Sequence, residues 1–148
     1  SIGDNICLPS LDSLAGKSHL LSDKKLKEFA NKYAKQMSVK MVNVDQFVSD
    51  LSGGNKQKVV VAKWLANDSQ ILIMDCPTRG IDIGVKATIY QLMETLISEG
   101  KSIIMVSEEI PELLGMSDRI LIMKDGVLNG QFAREDNLTE SMLIEKVI

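Results

Sequence analysis

Apolar positions recur at two different periods along this chain, and the change falls near residue 50. Between Ser22 and Met37, the residues Leu26, Phe29, Ala30, Tyr33, Ala34 and Met37 repeat every three or four positions, the spacing of one helical face, with Ser22 placed to cap it. Residues 1 to about 50 therefore predict a small helical subdomain. Beyond it the pattern alternates: a helix at about 55 to 67, a strand at 70 to 75, a helix at 84 to 99 and a strand at 102 to 107. Apolar strands separated by helices predict parallel pairing through crossover connections, with each strand buried on both faces. A short helix near 109 to 115 follows. Then Arg119 to Lys124 and Val127 to Phe132 flank Asp125-Gly126, a dipeptide that tolerates the positive φ angles of a tight hairpin turn. A last amphipathic helix is expected at about 139 to 147, capped by Thr139.

Composition narrows the function classes. The chain has 148 residues, 45% hydrophobic and 25% charged, as an ordinary globular domain does. A net charge of -3 argues against nucleic acid as the main partner, since phosphate backbones demand clustered Lys and Arg. The one lysine-dense stretch, Lys24, Lys25, Lys27, Lys32 and Lys35, is spaced as the solvated face of the helix described above. Cys7 and Cys76 lie far apart and match no metal-ligand spacing, which points to a reduced, cytoplasmic protein. No apolar run approaches the ~18 residues needed to cross a bilayer, so work at a membrane would be that of a peripheral subunit. The chain opens on Ser1 rather than Met, which suggests a piece of a longer protein.

Candidate chemistry is concentrated in two runs. The first is Leu51-Ser52-Gly53-Gly54-Asn55-Lys56-Gln57. A Ser and two glycines at a helix start offer backbone N–H groups to an anion, the helix dipole favours negative charge there, and glycine permits close approach. The second is Ile71-Leu72-Ile73-Met74-Asp75-Cys76-Pro77-Thr78-Arg79-Gly80-Ile81-Asp82. An apolar strand ending in Asp75 sets a carboxylate at the C-terminal edge of a parallel sheet, where nucleotide sites lie and where a carboxylate can orient Mg²⁺.

Together, and at a separation of about twenty residues, the two runs resemble the signature motif and the Walker B strand with D-loop of ATP-binding-cassette (ABC) ATPases. The resemblance implies an α/β, P-loop NTPase-like partial domain: a mainly parallel sheet with flanking helices plus a small helical subdomain. Residues 1–50 would form the helical segment, and 51–148 the signature helix and Walker B half of the core. The ligands implied are ATP and Mg²⁺. In the family the signature contacts the γ-phosphate of ATP held by the opposite domain. That carries over to Leu51, Ser52, Gly53, Gly54, Asn55 and Gln57, with Asp82 as the D-loop aspartate and Asp75 as the magnesium carboxylate.

Two positions depart from the family pattern. Where active members carry a Glu general base, this chain has Cys76, and a thiol of pKa ~8.5 is a poor acceptor of water's proton. Where many members carry a switch histidine, this chain has Glu108, whose carboxylate would repel a γ-phosphate. Both imply an own site that has lost hydrolysis; a shift of Glu108 or Glu109 into the base role is the alternative. No G-x-x-x-x-G-K-[ST] phosphate loop is found: Ala15-Gly16-Lys17-Ser18 has Leu11 where the first glycine belongs. It is read as a loop or helix start.

Within the family, Pro77 to Gly84 with Lys86, and Pro111 to Arg119, resemble the second ATPase domain of fused proteins that power monosaccharide import. That resemblance implies a complementary ATPase domain, transmembrane permease subunits and, indirectly, a sugar-binding protein as partners, at the cytoplasmic face of the membrane. A non-hydrolysing regulatory or docking module with the same fold, and an ABC ATPase outside transport, stand as other readings. Among the remaining residues, His19 is expected at the surface, Trp64 in the core beside Val60, Val61 and Leu65, Tyr90 in the core or at its boundary, and Met93, Met105 and Met123 as apolar fillers.

Overall fold

The computed structural model describes residues 1–16 and 19–148, so Lys17 and Ser18 of the near-miss tripeptide lie outside the described residues. The chain packs as two compact units, one comprising Ser1–Ile73 with Thr78–Ile104 and the other Met74–Pro77 with Met105–Ile148.

The first unit opens with helix α1 (Ile2–Cys7), whose N-cap Ser1 forms a reciprocal capping box with Asp4. After the short helix α2 (Leu11–Ala15) comes α3 (Asp23–Gln36), with Ser22 at the N-cap position as expected but with no capping bond from its side chain. Ile2 and Ile6 of α1, and Ala30 and Ala34 of α3, are fully buried. They pack with α4 (Gly53–Leu65), which contributes Val59, Val61, Ala62 and Leu65. Small alanines on α3 allow close approach, and the buried polar groups are satisfied: Ser10 Oγ donates to Ala66 O at 3.0 Å and Lys58 Nζ to Ser38 O at 3.2 Å. The loop between α3 and α4 is tied down by Ile2 N and Gly3 N, which donate to Gln46 O and Val44 O. Helix α5 (Ile83–Ser98) buries Ile89, Leu92, Met93 and Leu96, a run at helical spacing.

Strands β1 (Ile71–Asp75) and β2 (Ser102–Val106) pair with each other. Ser102 N donates to Gln70 O, and Cys76 N to Val106 O, so the strands run parallel. The expected burial on both faces does not occur. Leu72 and Met74 are buried, but Ile71 (60% exposed), Ile73 (73%) and Ile104 (55%) stand in the open. Alternation places these side chains on opposite faces, and only one face is covered by described residues.

In the second unit, α6 (Ile110–Met116) precedes the antiparallel hairpin of β3 (Arg119–Lys124) and β4 (Val127–Ala133). Asp125 and Gly126 take φ of 49° and 78°, the left-handed pair that the tight turn requires. Ile120 and Ile122 on the inner face of β3 pack with Leu143 of α7 (Glu140–Val147), flanked by Leu113, Leu114 and Phe132. Thr139 caps α7, accepting from Met142 N. Met123 points outward at 61% exposure, so the expectation of an apolar filler fails there while it holds at Met93.

Candidate functional site

The Leu51–Gln57 run forms the entry to α4. Ser52 is the N-cap, in extended conformation (φ −62°, ψ 158°), and its side chain makes no capping bond to the helix. The first amide to find a carbonyl below it is that of Lys56, which donates to Ser52 O at 2.9 Å. Gly53, Gly54 and Asn55 precede it, and helix geometry provides their N–H groups with no acceptor. Leu51 is buried and anchors the turn, while Ser52 and Gly53 are exposed.

The turn is held from two sides. Asn55 Nδ2 donates to Ser52 Oγ at 3.0 Å, and Asn55 Oδ1 accepts from Lys40 N at 2.8 Å. On the other side, a Cβ added to Gly54 would stand 2.8 Å from Val85 Cγ2 and 3.6 Å from Asp82 Oδ2. Gly54 is therefore demanded by packing against the first turn of α5, whereas a Cβ at Gly53 would meet nothing within 4 Å. Asp82, singled out as the D-loop aspartate, is the N-cap of α5, and its Oδ1 accepts from Val85 N at 3.0 Å. The first unit thus brings Ser52, Gly53, Gly54, Asn55 and Asp82 into one neighbourhood. Gln57 is half-buried within α4.

The remaining candidates belong to β1's end and the segment after β2. Asp75 is exposed at the last position of β1. Its donor set is a single carboxylate, which suits a Mg²⁺ that arrives with nucleotide phosphates better than a cage built by protein alone. Cys76 follows with φ of 43°, a left-handed conformation that costs a residue with a Cβ about 1–3 kcal/mol. Its amide donates to Val106 O at 2.9 Å, and the thiol is half-buried. Immediately after Val106, Ser107 Oγ accepts from Glu109 N at 3.0 Å and donates to Glu112 Oε2. Glu112 is only 6% exposed, and Glu108 and Glu109 are exposed. Composition offered no sign of the buried Glu112 clamp. The i, i+5 separation from Ser107 was the only available signal.

The ABC transporter family profile matches residues 4–79, just over half of the chain. The chain belongs to the ABC transporter family. Among its relatives, the xylose import ATP-binding protein XylG of Thermoanaerobacter pseudethanolicus is 47% identical over 96% of this chain and 28% of its own length. The ribose import ATP-binding protein RbsA of Bacillus cereus is 46% identical over 97% of this chain and 29% of its own length. This ABC chain thus spans under a third of the length of the curated relatives it matches. Among solved structures, the dimeric ATP-binding cassette MJ0796 in a post-hydrolysis state bound to ADP and Pi superposes with a TM-score of 0.79. It is 25% identical, and the match covers 90% of this chain and 56% of that one. The α/β, P-loop NTPase-like class expected from the two motif runs is the fold of this ABC chain.

The expected core placement of Trp64 is corrected by the geometry. Trp64 is 53% exposed and Val60 48%, because α4 buries the opposite stripe through Val61 and Leu65. Lys63 Nζ lies 5.2 Å from the indole centroid and shields that ring from water in part. His19 is exposed, as expected. No described helix is long and apolar enough to cross a membrane.

Proposed function

We propose that this chain is part of the ATP-binding subunit that energises sugar import by an ABC transporter, and that its Ser52 turn completes, in trans, an ATP site held by a complementary ATPase domain. The observation that carries this reading is the state of that turn: exposed, opened by amides without helix acceptors, and braced by Asn55 and Val85 instead of being collapsed inward. ATP, held with Mg²⁺, supplies the γ-phosphate that these donors would contact. This chain's part is to bind and orient that phosphate through the Gly53 and Gly54 amides and the Ser52 hydroxyl, with the dipole of α4 adding positive potential. The import function follows the printed names of the xylose and ribose relatives. Permease subunits and, through them, a sugar-binding protein are the partners proposed, at the cytoplasmic face of the membrane.

The chain's own site, at Asp75, Cys76 and Glu108, is proposed to be deficient in hydrolysis. A thiol stands where a base is needed, and the carboxylates of Glu108 and Glu109 would face an incoming phosphate with like charge. The test uses the full-length parent protein with its transporter partners. Ser52→Arg fills the turn and is expected to lower ATP turnover by roughly 10²-fold or more, the scale on which lost transition-state donors act. Turnover equal to wild type would remove the trans-donation reading. A non-hydrolysing docking module of the same fold predicts instead that partner assembly is kept while Ser52→Arg changes nothing.

A further inference from the structure

The hydrogen bonds around Ser52 have a direction that can be worked out without seeing a proton. A backbone N–H can only donate, so the atom that Lys40 N reaches at 2.8 Å must be the Asn55 carbonyl oxygen. The other end of the same amide is then an NH₂ group, which can only donate, and it lies 3.0 Å from Ser52 Oγ. Ser52 Oγ is thereby fixed as an acceptor toward Asn55, and its own O–H proton is directed elsewhere. The side chain makes no capping bond back to α4, so the proton is free to point to the exposed mouth of the turn, beside the Gly53 amide.

We propose that Asn55 is a positioning residue that sets Ser52 as a proton donor toward the phosphate, with the Lys40 amide as the orienting group behind it. The inference rests on the reading of the Ser52 turn proposed above and assigns Asn55 a different task from phosphate contact. It also ties the loop between α3 and α4 to the site through one peptide group, since the Lys40 N–H determines which way the Asn55 amide faces. Loss of that orientation would let the amide turn over and present its oxygen to Ser52, which would draw the hydroxyl proton away from the anion.

A double-mutant cycle in the full-length parent protein tests this. Asn55→Asp keeps an acceptor for Lys40 N but presents Ser52 with a second acceptor, so the hydroxyl turns to donate inward. Asn55→Ala removes the amide without adding charge. Each is combined with Ser52→Ala, and kcat, KM and the thermal midpoint are measured. Asn55→Asp is expected to lower kcat about tenfold to a hundredfold in the Ser52 background. On the Ser52→Ala background its further cost is expected to shrink to about threefold or less, and the Asn55→Ala cycle is expected to couple in the same direction. Costs that multiply independently in both cycles, or thermal midpoints that fall in step with kcat in both backgrounds, would overturn the inference. So would wild-type turnover for Ser52→Ala beside a dead Ser52→Arg, an outcome that leaves the proposed function standing. Wild-type turnover for both Ser52 variants would remove the reading beneath it.

Discussion

The turn at Ser52 and the end of β1 are both strand-or-loop termini rich in polar groups, yet they present opposite chemistry. The Ser52 turn offers donors: first-turn amides, the hydroxyl of an exposed serine, and at Gly53 a residue with open space around it. At the end of β1 and beyond β2 the side chains are acceptors, with Asp75, Glu108 and Glu109 exposed and Glu112 locked to Ser107. Gripping an anion needs only donors held in place, and packing alone can supply that. Removing a proton from water needs a base at one position, and this chain has Cys76 where the family resemblance expects that base. On the proposed reading, the chain keeps the first capability and lacks the second.

The comparison can be broken most decisively at Cys76. In a parent protein whose complementary site has been inactivated, Cys76→Glu is expected to raise residual ATP turnover by roughly 10²-fold, the lower end of what general-base catalysis contributes. Unchanged turnover in a steady-state assay would mean that the missing base is not what separates the two regions.

A smaller effect sharpens the account of the turn. Gly54→Ala places a methyl 2.8 Å from Val85 Cγ2, and overpacking of this kind costs about 1–3 kcal/mol. Adding Val85→Ala is expected to restore part of that loss in denaturant unfolding. No recovery in the double variant would show that the turn does not rest on α5.

Thiol labelling distinguishes α1 from the end of β1 by exposure. Cys7 is 3% exposed, its thiol donates to Leu26 O at 3.4 Å, and burial, with a lesser contribution from Asp4, pushes its pKa up. Cys76 is half-buried. Under native conditions a thiol reagent is expected to modify Cys76 at least about tenfold faster than Cys7, since a buried thiol waits for local opening. Equal rates, read by mass spectrometry, would contradict the packing of α1.

The smallest effect is electrostatic. Lys101 Nζ lies 2.7 Å from Asp68 Oδ1, and this bond holds the Asp68 carboxyl below its ordinary value. A depressed folded pKa contributes stability that is present above the unfolded value of about 3.9 and is lost as pH falls through the folded one. Asp68 is exposed, so the increment is slight. Asp68→Asn is expected to flatten slightly the decline of the melting temperature below about pH 4 and to change nothing at the Ser52 turn or the end of β1.

Much of this was legible in the residues because short-range chemistry decides it. Asp125-Gly126 announces the hairpin, since few other pairs accept two positive φ angles. Ser22 and Thr139 mark helix starts, and the spacing from Leu26 to Met37 marks the buried stripe of α3. Helix α4 was less transparent. Val59, Val60 and Val61 run consecutively, so no period selects the buried face, and Trp64, expected in the core, falls on the exposed Lys56 and Val60 side. The strands misled for a related reason: an unbroken apolar run says that both faces can be buried, not that described elements cover both.

By itself, the sequence determined the order and kind of the elements and the places where phosphate chemistry was to be sought, because caps, turns and a glycine-rich helix start act over four or five residues. Tertiary structure alone decided that Gly54 seats against Val85 and that the Lys40 amide meets Asn55 Oδ1. Each of those contacts joins residues far apart in the chain, and only the packing of the helices brings their atoms within bonding distance.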